Sequence, residues 1–133
     1  MLSSGGTYVG DLDTQLRRHG QGTYTYSVGG MGQFRYEGAW HRGQKHGLGV
    51  LYLGDGSTIE ATFMDGEISG QGLRRWPDGR TYTGNFHNGE LHGEGTMVTS
   101  DGSTYSGEYR NNRRHGAGEL RETKLYCFEI KNS

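Results

Sequence analysis

Tyr36-Glu37-Gly38-Ala39-Trp40-His41-Arg42-Gly43-Gln44-Lys45-His46-Gly47-Leu48-Gly49, closing on Asp55-Gly56, is the stretch that decides the fold. Its leading triplet returns every 23 residues, as Ile59-Glu60-Ala61, Tyr82-Thr83-Gly84 and Tyr105-Ser106-Gly107, each leading through a Gly-x-Gly to an Asp-Gly or its equivalent. A fixed period of this size means one small supersecondary unit stacked on copies of itself, each touching only its neighbours.

Two kinds of turn signal alternate within the period, one at Gly43, Gly66 and Gly89 and one at Asp55-Gly56, Asp78-Gly79 and Asp101-Gly102. Asp-Gly and Asn-Gly tolerate the positive φ of a tight hairpin turn, so two turns per repeat leave two strands per repeat. In the first strand, alternation puts Tyr36, Gly38 and Trp40 on one face and Glu37, Ala39 and His41 on the other. The same apolar face carries Ile59 and Phe63, Tyr82 and Phe86, Tyr105 and Tyr109, and Tyr8 and Leu12. Helix is excluded because apolar residues do not recur at three-and-four spacing and each glycine inside a helix costs about 1 kcal/mol.

The expected fold is all-β: a single-layer, elongated, twisted antiparallel sheet of tandem 23-residue β-hairpins. About ten strands from Tyr8 to Glu122 would span roughly 45–50 Å at about 4.8 Å per strand. The glycine two residues after each leading aromatic lets a ring lie on bare backbone. One domain covers residues 1–133, with units at about 5–35, 36–58, 59–81, 82–104 and 105–127 and a degenerate partial unit or cap at 128–133.

Composition agrees with a repeat surface better than with a two-layer core. Hydrophobic residues make up 30% of the 133, against a globular norm of roughly 45–50%. Glycine contributes 26 residues and proline one, which is neither a linker nor a collagen composition. Fourteen basic and fifteen acidic side chains leave a net charge of −1, so no global field attracts nucleic acid. Cys127 is the single cysteine, which rules out an internal disulfide or a multi-cysteine zinc site. The first residues lack a secretory pattern and no apolar run reaches the roughly 20 residues of a membrane span, so the expected location is the cytoplasm.

The pattern from Tyr36 to Gly49, closing on Asp55-Gly56, resembles a MORN repeat (membrane occupation and recognition nexus), and the likeness runs from about Gly5 to Glu122. The third unit departs from it, with Ile59 and Ala61 for the tyrosine and glycine and Ser69 for the histidine, so its apolar face should be poorer and locally displaced. Beyond it, Phe128 begins a sixth unit with Ile130 where glycine is expected. The resemblance implies a protein-binding scaffold: similar repeats occur in cytoskeletal, ciliary and axonemal adaptors, and as accessory modules on lipid kinases and lysine methyltransferases.

No catalytic centre emerges. His19, His46, His92 and His115 occupy one repeated position, but successive copies stand roughly 10 Å apart on a sheet, too far for Zn–N bonds of about 2.0–2.1 Å; a turn-fixing hydrogen bond is the better reading. Pairs such as Gly47-Leu48-Gly49 lead into no helix and no Gly-Lys-Ser/Thr, which excludes a nucleotide cradle. Cys127 lies in a degenerate segment, the serines sit at turns, and an open sheet offers no dry pocket for oxyanion stabilisation. The chain is read as no enzyme, with no cofactor and no metal.

Binding is the function the residues suggest. An apolar patch on a one-layer sheet has nothing to cover it and marks a binding site. Tyr36, Trp40, Phe63, Tyr82, Phe86, Tyr105 and Tyr109 are therefore the expected partner-binding groove, taking a helical or extended segment of a protein on a concave aromatic face. Arg17, Arg18, Arg42, Lys45, Arg113 and Arg114 fall on one set of turns, interrupted by Asp65, Glu67 and Glu90, and are candidate contacts for an acidic partner or a lipid headgroup. Unpaired edge strands would permit end-to-end self-association. The alternatives are peripheral binding to anionic phospholipid through the basic turns, and service as the targeting part of a larger enzyme.

Overall fold

The computed structural model describes residues 5–122. Ten strands follow one another in the chain: β1 Thr7–Leu12, β2 Arg18–Val28, β3 Gly32–His41, β4 Gln44–Tyr52, β5 Thr58–Met64, β6 Glu67–Arg75, β7 Thr81–His87, β8 Glu90–Val98, β9 Thr104–Arg110 and β10 Arg113–Arg121. They form one antiparallel sheet whose spatial order is the sequence order, so every connection is a hairpin. The all-β reading, the hairpin repeat and the single layer hold; the partial unit from Phe128 and the lone Cys127 lie outside the described residues.

Turn chemistry sets the length of each hairpin. Arg42-Gly43, Asp65-Gly66, Asn88-Gly89 and Asn111-Asn112 all have positive φ at both residues, from 50° at Arg42 to 91° at Gly66. That is the turn whose twist matches paired strands, and asparagine, aspartate and glycine enter it most readily. The opposite turns are held by their aspartates: Asp55 Oδ1 accepts from the Ser57 amide at 2.8 Å, and Asp101 Oδ1 accepts from the Ser103 amide at 3.0 Å.

Each hairpin also carries a bulge that the alternation rule does not foresee. The register shifts between Gly10 and Leu12, Gly38 and Trp40, Ala61 and Phe63, Gly84 and Phe86, and His115 and Gly118. The strands that join one unit to the next pair without a shift. A bulge sharpens local twist, and one such point recurs in every hairpin. The third hairpin keeps the register of its neighbours, and the displacement expected from Ile59 and Ala61 does not occur. Isoleucine is smaller than the tyrosine it replaces, and the added Ala61 methyl is accommodated on the same backbone.

The core sits on one face. Tyr36, Trp40, Ile59, Phe63, Tyr82, Phe86, Leu91, Tyr105 and Tyr109 are buried, with half-buried Tyr8, Tyr24, Leu51, Leu53, Ile68, Trp76 and Met97 packed around them.

Candidate functional site

Two leading tyrosines, Tyr36 and Tyr82, are each gripped by two rings, one from the tyrosine's own strand and one from the next unit. Tyr36 meets Trp40 at 5.1 Å and Phe63 at 5.0 Å, with planes 86° and 82° apart. Tyr82 meets Phe86 at 5.3 Å and Tyr109 at 5.1 Å in the same edge-to-face manner. Such pairs add about 0.5–1.5 kcal/mol each beyond their burial.

The hydroxyls of these two tyrosines and of Tyr8 donate to the carbonyl of the residue that the bulge drops from the register. Tyr36 reaches Ala39 at 3.0 Å, Tyr82 reaches Asn85 at 2.8 Å, and Tyr8 reaches Asp11 at 2.6 Å. The ring lies over the glycine of the facing strand, so closely that a Cβ on Gly49 would stand 2.2 Å from the Tyr36 hydroxyl and one on Gly95 2.3 Å from the Tyr82 ring. Burial pushes the Tyr36 and Tyr82 hydroxyls up to about 12.

All seven residues expected to line a groove are thus drawn into the packing: Tyr36 and Tyr82 are 0% exposed, and Phe86 and Tyr105 reach only 7%. The alternation pattern predicts the face correctly. It does not show that rings four residues apart and one repeat apart close over one another. The surface this face offers comes from the half-buried side chains beside the rings, among them the stacked series Tyr24, Tyr26 and Phe34 and a small, largely apolar hollow lined by Met31, Phe34, Leu53, Arg74 and the turn residue Asp55.

The basic residues separate into different settings. Arg18 stands over Tyr24 at 4.2 Å and over Trp40 at 5.2 Å, and Lys45 over Tyr36 at 5.4 Å and Trp40 at 6.0 Å. Arg114 covers Tyr105 at 4.5 Å. Arg17 is instead paired with Asp13 at 2.8 Å, while Arg42 occupies a turn and its amide donates to His19 Nδ1 at 3.3 Å. Arg113 is exposed at the start of β10. Arg74 was not among the sequence candidates; it lies over Trp76 at 4.6 Å and bonds Asp55 at 3.0 Å. Its signal was the register position it shares with Leu51 and Met97, an apolar slot in the neighbouring units.

Following the register, the strand residues on the ring face include Arg18, Lys45, Arg74 and Arg114 and no Asp or Glu. The other face carries Glu37, Glu60, Glu94, Glu108 and Glu119, with Arg35, Arg75 and Arg121 bridging to Glu37, Glu60 and Glu119. Shallow depressions follow the glycine pairs there, walled by Glu37, Leu48, Thr62 and Gln71 and farther on by Thr83, Glu94, Thr96 and Ser106.

The histidine row is denser than the four-residue count implied. His41 places its ring 5.1 Å from His19 and 5.4 Å from His46, and His87 lies 5.4 Å from His92. The signal was present, since His41 and His87 each stand five residues before a counted histidine, across a two-residue turn. Burial and then the charge of His19 hold the His41 imidazole below its usual value. His19 makes the turn-fixing bond, whereas the Nδ1 atoms of His46 and His92 are buried with no hydrogen-bond partner. Among the described residues no group of three or more His, Cys, Asp or Glu could hold a metal ion, and no helix is long and apolar enough to cross a membrane.

The MORN repeat model matches residues 17–31, 36–58, 60–79, 82–104 and 105–121. These repeats mediate protein or membrane interactions and are typically non-catalytic adaptor modules. With that match over most of its length and the tyrosine-on-glycine packing recurring along the sheet, the chain belongs to the MORN-repeat family.

Proposed function

We propose that this chain is a non-catalytic scaffold that holds a segment of a partner protein on the ring face of its sheet. The observation that carries the reading is the division of the two faces. One combines half-buried Leu51, Leu53, Trp76 and Met97 with cations and no strand carboxylate, and among the described residues no second layer covers it. Apolar anchors beside a charged rim are the usual anatomy of a specific interface. The seven buried aromatic residues act as its rigid floor, which keeps the ordering cost of binding low. A cytoskeletal, ciliary or axonemal setting in the cytoplasm follows from the family resemblance alone.

The distribution of charge supports a protein partner over a phospholipid surface. A membrane reader presents several free cations in one plane, whereas of the six candidates Arg17 is engaged by Asp13 and Arg18, Lys45 and Arg114 lie over rings, which leaves Arg42 and Arg113.

The test is affinity capture from extract with the intact chain, a ring-face variant carrying Leu51→Asp and Met97→Asp, and an opposite-face variant, Leu48→Asp. Proteins retained by the intact chain and the Leu48 variant but lost from the ring-face variant are the expected result. Identical retention by all three overturns the choice of face, and flotation with anionic vesicles that survives the ring-face change would return the lipid alternative.

A further inference from the structure

Arg18 and Lys45 come from adjacent units, yet they converge on one indole. Arg18 lies 5.2 Å and Lys45 6.0 Å from the Trp40 ring centroid, with Tyr24 and Tyr36 on either side. Both side chains belong to half-buried residues, and neither takes part in an ion pair among the described residues, where the paired cations are Arg17, Arg35, Arg74, Arg75, Arg80 and Arg121. Burial, and after it the charge of Arg18, holds the Lys45 ammonium below its usual value. Two like charges held over one indole repel each other.

We propose that Arg18 and Lys45, above Trp40, form a seat for an acidic side chain of the partner segment that this face holds. The inference rests on the reading given under Proposed function and adds the chemistry of the occupant: a segment that places a carboxylate beside apolar residues. The apolar part has a surface to meet. The position of Lys45 is taken by half-buried Ile68 and buried Leu91 in the next two units and returns to a cation at Arg114, over Tyr105. With two strands per repeat, Lys45 and Arg114 are separated by roughly 29 Å across the sheet, the length of about 19 helical residues. An amphipathic segment with carboxylates toward both ends and an apolar middle matches this order. A phosphorylated surface or bilayer matches it less well, because the seat is two cations wide and is bordered by rings.

The chain itself supplies the probe. Trp40 and Trp76 are its two tryptophans, so in a Trp76→Phe background the emission of Trp40 reports on the seat. The ligand is a synthetic peptide alternating glutamate and leucine, compared with its glutamine counterpart, with inorganic phosphate, and with phosphatidylcholine vesicles containing phosphatidylserine. The glutamate peptide is expected to shift Trp40 emission saturably. Arg18→Gln or Lys45→Gln should each weaken that response about tenfold, while Lys45→Arg should keep it within about twofold. Arg75→Gln, on the opposite face and bridged to Glu60, should leave it unchanged, and far-ultraviolet circular dichroism confirms that each variant retains its sheet.

Equal binding of the glutamine peptide, no saturable response to the glutamate peptide, variants that bind as tightly as the parent, or a response confined to phosphate or vesicles would each overturn the seat. If the seat fails while Leu51→Asp with Met97→Asp still abolishes capture, the face is right and the acidic occupant is wrong.

Discussion

The second and fourth units are led by Tyr36 and Tyr82, the third by Ile59, and the three hairpins nevertheless share one register. What changes is the packing. The buried residues fall into two clusters, Tyr36 with Trp40 and Phe63, and Ile59 with Tyr82, Phe86, Leu91, Tyr105 and Tyr109. The ring ladder is interrupted where isoleucine replaces tyrosine, and Leu51, Ala61 and Ile68 bridge the gap by touching both clusters.

The glycines show the same contrast. A Cβ on Gly49 or Gly95 would overlap the tyrosine lying on it, while one on the equivalent Gly72 would find its nearest atom, the Ala61 methyl, at 3.1 Å. The backbone plan therefore belongs to the turns and bulges. The tyrosine and its glycine form a second, separable device laid on top of it.

The largest effect expected from breaking this contrast is at the tyrosine. Tyr82→Ala should cost about 3–5 kcal/mol and more than Ile59→Ala, for which the range is about 2–5 kcal/mol, read as midpoints of urea unfolding. Equal losses at the two positions would show that the leading tyrosine is no more than another apolar residue.

Next come the glycines. Gly49→Ala should cost about 1–3 kcal/mol by overpacking a ring that is fully buried and cannot retreat, while Gly72→Ala should cost clearly less. The sharper version combines Gly49→Ala with Tyr36→Ile, borrowing the third unit's residue. The double change should cost less than the sum of the single ones, because the isoleucine vacates the space the methyl needs.

A smaller step isolates the hydroxyl. Tyr36→Phe and Tyr82→Phe each remove a bond to a carbonyl at a bulge and should each cost about 1 kcal/mol, with amide hydrogen exchange rising first at Ala39 or Asn85 and their neighbours. Unchanged stability in both would mean that solvent satisfies those carbonyls equally well.

The smallest effect concerns pH. His41 and His87 have Met64 as their counterpart in the third unit. His41 is held below the usual imidazole value of about 6.5, so the unfolded chain binds the proton more tightly. The stability it contributes is present above that value and falls as the pH drops through it. His41→Met should flatten the acid limb of a melting curve, and an acid limb identical in parent and variant would remove His41 as its cause.

Much of the fold was legible in the chain. The repeat, the two turns per unit and the face carrying Tyr36, Trp40, Ile59 and Phe63 are local or periodic properties, written in glycine spacing and two-residue alternation. The bulges were not, because losing one residue from a ladder depends on the strand opposite. Nor was the division between Arg17 and Arg18, adjacent residues of which one is tied to Asp13 and the other covers Trp40.

The sequence by itself determined a ribbon of hairpins with its rings on one side, since backbone preference and side-chain parity act within a few residues. Only the tertiary structure decided that those rings are sealed from solvent. Their edge-to-face contacts join residues 27 positions apart, Tyr36 to Phe63 and Tyr82 to Tyr109. The closeness of such a pair is set by the bulge and twist that bring one unit onto the next.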